Sequence, residues 1–203
     1  MCEVGIPTIC QISGSKHQNG LMLSEQELIK GCAKGDRALQ KALYGRYCRK
    51  MMAISLRYAR STQEAEDILQ EGFIKIFGNI HLFRSEAKLE TWMTRIMINT
   101  ALNSHRQKLY MLPMVDVTDL QISEDEGINL SDFNLSELIL IVQSLPDGCR
   151  IVFNLFAIEG YGHKEIAEML AISEGTSKSQ YNRAKSLLRA KLIQEDGKYE
   201  RFK

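Results

Sequence analysis

Prolines fall at only three positions, Pro7, Pro113 and Pro146, so the chain from Leu21 to Asn103 runs without one. A proline inside a helix removes a backbone hydrogen bond and clashes with the preceding turn. A stretch that long without proline, and with apolar residues at steps of three and four, predicts a helical domain. Asp36 is placed to cap a helix whose inward stripe is Leu39, Leu43, Tyr47, Met51, Ile54 and Tyr58. Ser61 and Glu64 have the spacing of a capping box. The helix they open carries Ile68, Leu69, Phe73, Ile76 and Phe77 inward, with Gly78-Asn79 as its stop. Ser85 is the expected cap of a third long helix, with Leu89, Trp92, Met93, Ile96 and Met97 in its core stripe. A shorter leading helix over 21–34 is capped by Ser24.

Periodicity fails from Leu109 to about Phe133, and that segment reads as a flexible linker. A helical pattern returns at Leu135–Leu145. Pro146-Asp147 starts the next helix, whose apolar side is Ile151, Val152, Leu155 and Phe156 and whose end is Gly160. The expected fold class is all-α: two small helical domains joined by a flexible acidic linker.

The formal charge is +1, but its distribution is uneven. Residues 36–108 hold 13 Lys/Arg against 7 Asp/Glu; residues 109–144 hold none against 7; residues 145–203 hold 10 against 8. Two basic blocks separated by an acidic tether point to a polyanionic partner. Solvated helix faces and a solubilising linker account for the same numbers. The five cysteines are odd in number, widely spaced and without a C-x-x-C, so they read as reduced, buried thiols. No apolar run approaches the roughly 20 residues of a membrane span. The first 20 residues lack the pattern of a secretion signal. A cytoplasmic protein without metal or cofactor is expected. The four histidines, His17, His81, His105 and His163, are scattered, and no nucleophile or phosphate-loop motif accompanies them, so no enzyme is expected.

Residues 162–185, GHKEIAEMLAISEGTSKSQYNRAK, carry the most specific local signal. A short helix, His163 to Leu170, turns sharply into a longer one from Glu174 to about Leu192. Ala167 is small where two helices must cross, Ile166, Leu170 and Ile172 are apolar, and Ser173 is an N-cap. This is a helix-turn-helix, whose second helix enters the major groove N-terminus first. Tyr181, Ala184, Leu187 and Leu188 would face inward. Thr176, Lys178, Ser179, Asn182 and Arg183 offer donors for base edges and phosphates. In the first domain, Phe83 on a loop and Asn99 and Asn103 one turn apart have the chemistry to hold an unstacked base, with Arg95 and Arg106 for phosphates. Trp92 reads as core.

Three segments together resemble a known family. DILQEGFIKIF (67–77), LETWMTRIMINTALN (89–103) and the region from Leu145-Pro146 to Leu188 are similar, in this order, to bacterial sigma factors of the extracytoplasmic-function (ECF) group. The similarity covers residues 24–108 and 134–192. The resemblance implies an alternative sigma factor that binds core RNA polymerase, selects promoters and assists melting. Residues 21–108 would be region 2 and residues 134–203 region 4, with 109–133 the linker and 1–20 a tail that matches nothing familiar. Asp67, Gln70, Glu71, Ile74 and Lys75 would contact the clamp coiled coil of the polymerase's largest subunit, and the second domain its flap. Phe83, Arg95, Asn99, Asn103 and Arg106 would engage the minus-ten element, single-stranded once melted. Thr176, Lys178, Ser179, Asn182 and Arg183 would read the minus-thirty-five duplex. An anti-sigma protein is an implied partner. The chain departs from the family where Ser85-Glu86-Ala87-Lys88 follows Phe83-Arg84, and at Gln180, where relatives can carry arginine; base choice does not transfer at either place. A helix-turn-helix by itself equally suits a dimeric repressor, which would bind palindromic half-sites without polymerase.

Overall fold

The computed structural model describes residues 23–109 and 135–199, and these contain helices and no strand. They divide into two compact units, one up to Ser104 and one from His105. The tail 1–20 and the acidic linker lie outside the described residues. No described helix is long and apolar enough to cross a membrane.

In the first unit, α1 (Glu25–Ala33) opens on a complete capping box. The Ser24 Oγ accepts from the Glu27 N–H, and the Glu27 carboxylate accepts from the Ser24 N–H at 2.8 Å. These bonds hold the Glu27 carboxyl below its ordinary range. α2 (Arg37–Tyr58) starts at Asp36, whose carboxylate accepts from the N–H groups of Ala38 and Leu39. α3 (Thr62–Asn79) starts at Ser61 as expected. The Glu64 carboxylate, however, reaches one residue further back, to the Arg60 N–H at 2.7 Å. α3 does not stop at a left-handed glycine; it tightens into a 3₁₀ turn, Ile80–Leu82.

α4 (Leu89–Leu109) corrects the expectation at Ser85. Ser85 has φ 57°, in the left-handed region, whereas an N-cap needs extended backbone, and the helix begins four residues later. Close approach is built in at two glycines. A Cβ on Gly31 would collide with Leu39 Cδ1, and one on Gly72 with Met97 Sδ. These two residues let α1 meet α2 and α3 meet α4 at short distance. Leu43, Met51, Tyr58, Ile76, Met93 and Met97 fill the space between.

In the second unit, α5 (Leu135–Gln143) is followed by α6 (Asp147–Phe153). α6 runs on as a π-helical turn, Asn154–Ile158, ended by Gly160 at φ 80°. The stop at Gly160 is the expected one; the π winding before it is not visible in the sequence. The helix-turn-helix follows as α7 (His163–Leu170) and α8 (Glu174–Tyr199), the latter seven residues longer than expected. Ala171 makes the turn at φ 54°, a left-handed conformation that costs a non-glycine residue about 1 kcal/mol.

Arg150 is the structural anchor of this unit. Only 1% of its side chain is exposed. Its guanidinium donates to the carbonyl of Gln143 (3.1 Å), the last residue of α5, to that of Leu145 (2.9 Å) in the following turn, and to the Asp147 carboxylate (2.6 Å). The end of one helix leaves carbonyls without partners, and a single cation collects one of them and one from the turn while pairing with the first residue of the next helix. Replacing one partner of a buried ion pair strands the other, at about 3–5 kcal/mol. Arg150→Met is therefore expected to lower the stability of the second unit by about that amount, visible as an earlier loss of helical circular dichroism in urea. A loss below about 1 kcal/mol would show that the anchor is redundant.

Candidate nucleic-acid and polymerase interfaces

The outward face of α3 sets charge around an uncovered apolar group. Ile68, Leu69, Gly72, Phe73 and Ile76 turn inward, which leaves Asp67, Gln70, Glu71 and Ile74 exposed at helical spacing on the other side. Ile74 is 71% exposed. Lys75 is half-buried; its ammonium pairs with Glu71 at 2.6 Å and donates to Thr100 Oγ1 at 3.3 Å, tying α3 to α4. An exposed isoleucine ringed by acids and an amide is shaped for a protein partner rather than for water.

On α4, Met93, Met97, Ile98 and Ala101 are buried, while Arg95, Asn99 and Asn103 are exposed. The expectation that Trp92 is core is corrected: it is half-buried and shares the Asn99 and Asn103 face, two turns before Asn99. Phe83 packs against Trp92, ring centroids 5.4 Å apart and tilted by 54°. Sequence pattern groups Phe83 with the two asparagines; its described ring contact is with the tryptophan. The aromatic pair thus stands at one end of a face that continues with a cation and two amides. Arg106 belongs to the same helix, and its side chain lies outside the described residues.

α8 starts on the Ser173 cap, whose Oγ accepts from the Thr176 N–H at 2.9 Å and lies 2.8 Å from the Thr176 hydroxyl. Lys178 is exposed and paired with Glu174 at 2.7 Å; this pair holds the Glu174 carboxyl below its ordinary range. Ser179 is half-buried and its hydroxyl donates to the Thr176 carbonyl. Asn182 is exposed and Arg183 half-buried. All five residues expected from sequence therefore sit on the first three turns. The Asn182 and Arg183 side chains make no hydrogen bond or ion pair among the described residues.

Tyr181 and Ala184 turn inward as expected, and two further residues that hold the helix in rotation, Ser177 and Gln180, are not among the sequence expectations. Gln180 turns inward: its Oε1 accepts from the Cys149 thiol on α6 at 3.1 Å. Burial pushes the Cys149 thiol up, against the opposing pull of the nearby Arg183 charge, so the sulfur keeps the proton it donates. Ser177, fully buried, lies 2.9 Å from His163 Nδ1 at the start of α7. The His163 ring stacks on Phe156 at 4.3 Å, and Tyr181 packs on Phe156 at 4.6 Å. Lys185 sits over the Tyr181 ring at 5.2 Å. One signal is present in the sequence: Ser177, Gln180, Tyr181 and Ala184 recur at three- and four-residue steps on the inward face.

Among the described residues no group of three or more His, Cys, Asp or Glu is arranged to hold a metal ion.

Comparison with known proteins agrees with this architecture. The Sigma-70 region 2 family model matches residues 43–109, and the Sigma-70 region 4 model matches residues 135–188. The chain is 30% identical to the ECF RNA polymerase sigma-E factor of Haemophilus influenzae, over 84% of this chain and 96% of that one. It is 29% identical to the RNA polymerase sigma-H factor of Pseudomonas aeruginosa, over 81% of this chain and 91% of that one. Among solved structures, the sigma factor RpoE of Bartonella quintana, crystallised with its anti-sigma factor NepR, is similar with a TM-score of 0.46 and 18% identity, over 76% of this chain and 96% of that one. With both sigma-70 regions present in order, and a relative at 30% identity along almost its whole length, this chain belongs to the ECF RNA polymerase sigma factors.

Proposed function

We propose that this chain is an alternative sigma factor acting in the cytoplasm. It binds core RNA polymerase, directs it to particular promoters and helps separate the strands, with no catalytic step of its own. Residues 21–108 serve as region 2, residues 134–203 as region 4, and residues 109–133 as the acidic connector between them. The observation that carries the reading is the pairing, on one chain, of two differently built faces for DNA. The α4 face, with the Phe83–Trp92 pair, Arg95, Asn99 and Asn103, suits unstacked bases. The α8 face suits a duplex major groove.

Each element then has a task. Asp67, Gln70, Glu71, Ile74 and Lys75 dock on the clamp coiled coil of the polymerase's largest subunit. Phe83, Arg95, Asn99, Asn103 and Arg106 engage the minus-ten element as it opens. Thr176, Lys178, Ser179, Asn182 and Arg183 engage the minus-thirty-five element. Region 4 also meets the polymerase flap. With a formal charge of only +1, the free chain neutralises few phosphates. The polymerase supplies the remaining contacts and fixes the spacing of the two DNA sites. An inhibitory anti-sigma protein covering these faces is the natural regulator. A dimeric repressor would need none of the α3 face.

In vitro transcription with purified core polymerase and genomic DNA tests the whole reading, and a chain that starts no RNA refutes it. Lys178→Ala or Arg183→Ala should reduce promoter-dependent transcription by about 5- to 150-fold, the value of one good base contact, with core binding unchanged. Asn182→Ala should change base preference at one minus-thirty-five position, whereas Gln180→Ala, which removes the hold on Cys149, should weaken transcription from all promoters alike without changing their order. Exchanging Glu71→Lys with Lys75→Glu keeps an ion pair on α3 but gives up the Lys75–Thr100 bond, so unchanged helical circular dichroism is checked first. The exchanged chain should compete poorly for core enzyme; normal competition would remove α3 from the interface.

A further inference from the structure

From Arg37 to Arg60 the chain holds seven Lys or Arg and no Asp or Glu. No other stretch of comparable length in the chain is so purely basic. Almost all of it is α2. The helix is buried through Leu43, Tyr47, Cys48, Met51, Met52, Ser55 and Tyr58, while Arg37 and Lys41 on its first turns and Arg46, Arg49 and Lys50 further along are exposed.

Two of these cations have structural tasks. The Arg46 guanidinium donates to the Leu23 carbonyl at 2.7 Å, and Lys50 pairs with Glu90 on α4 at 2.7 Å. Arg37, Lys41 and Arg49 make no ion pair or side-chain hydrogen bond among the described residues. They extend over twelve residues, about 18 Å of helix. Holding like charges together on one helix is unfavourable in the free protein, so nothing within the unit accounts for them.

We propose that this outward face of α2 is a further DNA-binding site, taking the phosphate backbone of promoter DNA next to the minus-ten element. The inference rests on the sigma-factor reading and adds to it a surface outside the faces already assigned. Three observations favour DNA over a protein partner. The helix itself supplies no carboxylate, Asp36 and Glu90 standing at its start and edge, and duplex DNA presents one negative charge per roughly 1.7 Å of its axis. It also carries no large exposed apolar residue: those on the described surface are Leu23, Ile74, Leu82, Leu140 and Ile158, none on α2. Protein interfaces have an apolar centre, whereas DNA interfaces are polar and positive. Finally, the Lys50–Glu90 bridge ties α2 to the first turn of α4, the helix proposed to engage opened bases, from a position about 100° around α2 from Arg49. Phosphate contacts of this kind position a protein without reading sequence.

The test is the salt dependence of promoter binding by the reconstituted holoenzyme, with core affinity measured separately by competition. The variant R37Q/K41Q/R49Q removes three cations, and R37K/K41R/R49K keeps all three. Each phosphate left without its cation lowers the slope of log affinity against log salt by about 0.9. The slope of the glutamine variant should therefore be shallower by about two to three on any promoter sequence, while the charge-conserving variant keeps the wild-type slope. Core affinity should be unchanged in both. An unchanged slope in the glutamine variant overturns the proposal. A fall in core affinity with the slope retained also overturns it, and assigns the face to the polymerase. Wild-type holoenzyme that binds no promoter would instead refute the sigma-factor reading itself, and this site with it.

Discussion

A buried guanidinium decides where α8 of the second unit, the proposed reading helix, can stand. Arg150 draws the last carbonyl of α5, a carbonyl of the turn after it and the first carboxylate of α6 onto one cation. An ion of that size buried without partners would cost several kcal/mol, so the turn between α5 and α6 has little freedom once the cation is in place. The effect passes directly to α8. The residue before Arg150 is Cys149, whose thiol holds Gln180, and Cys149 forms a small core with Leu145 and Ala184. Fixing α6 fixes the inward face of α8. The outward face, one side of a rigid cylinder, is then fixed as well.

The π turn after α6 makes a second hold of the same kind. It carries Phe156 into a stack with His163 and against Tyr181, while His163 meets the buried Ser177. α8 is therefore gripped at Ser177, Gln180, Tyr181 and Ala184, four positions on one stripe. A groove-reading helix works only when its side chains arrive at base edges within a fraction of an ångström. Here that precision comes from groups that never face the groove. In the first unit glycine does comparable work. Gly31 and Gly72 let helices approach where a methyl group would collide with Leu39 or Met97. That packing holds the exposed residues of α3 and α4 on rigid surfaces.

Most of the helical frame is legible in the chain alone because its signals are local. Asp36, Ser61 and Ser173 cap where their spacing predicts, and the apolar stripes turn inward. The differences come from long-range packing. Ser85 has a capping side chain, but its backbone is left-handed, a state that sequence does not reveal for serine. Trp92 follows the core periodicity, yet it lies at the margin and needs Phe83 to cover it. The π winding over Asn154–Ile158 leaves no mark in a pattern of apolar residues. Gln180 resembles a base reader by type and position, and only its partner 31 residues earlier shows the amide turned inward. The proposed site residues are legible as a set because exposed polar groups on an otherwise apolar helix stand out. Their roles come from resemblance.

Charge separates what each face can do. The α3 face has acids, an amide and an uncovered isoleucine, and its one cation is already paired with Glu71. It suits a protein and repels phosphate. The α8 face is mixed: Lys178 is neutralised by Glu174 in the free protein, so its charge reaches a phosphate or base only when that pair opens. An exposed pair of this type contributes little, and a charge-assisted bond to DNA is stronger. Opening is therefore favourable at a matched site and gives little at a mismatched one. Such a helix adds discrimination more than affinity. That division fits a protein proposed to choose where a larger enzyme binds rather than to hold DNA by itself.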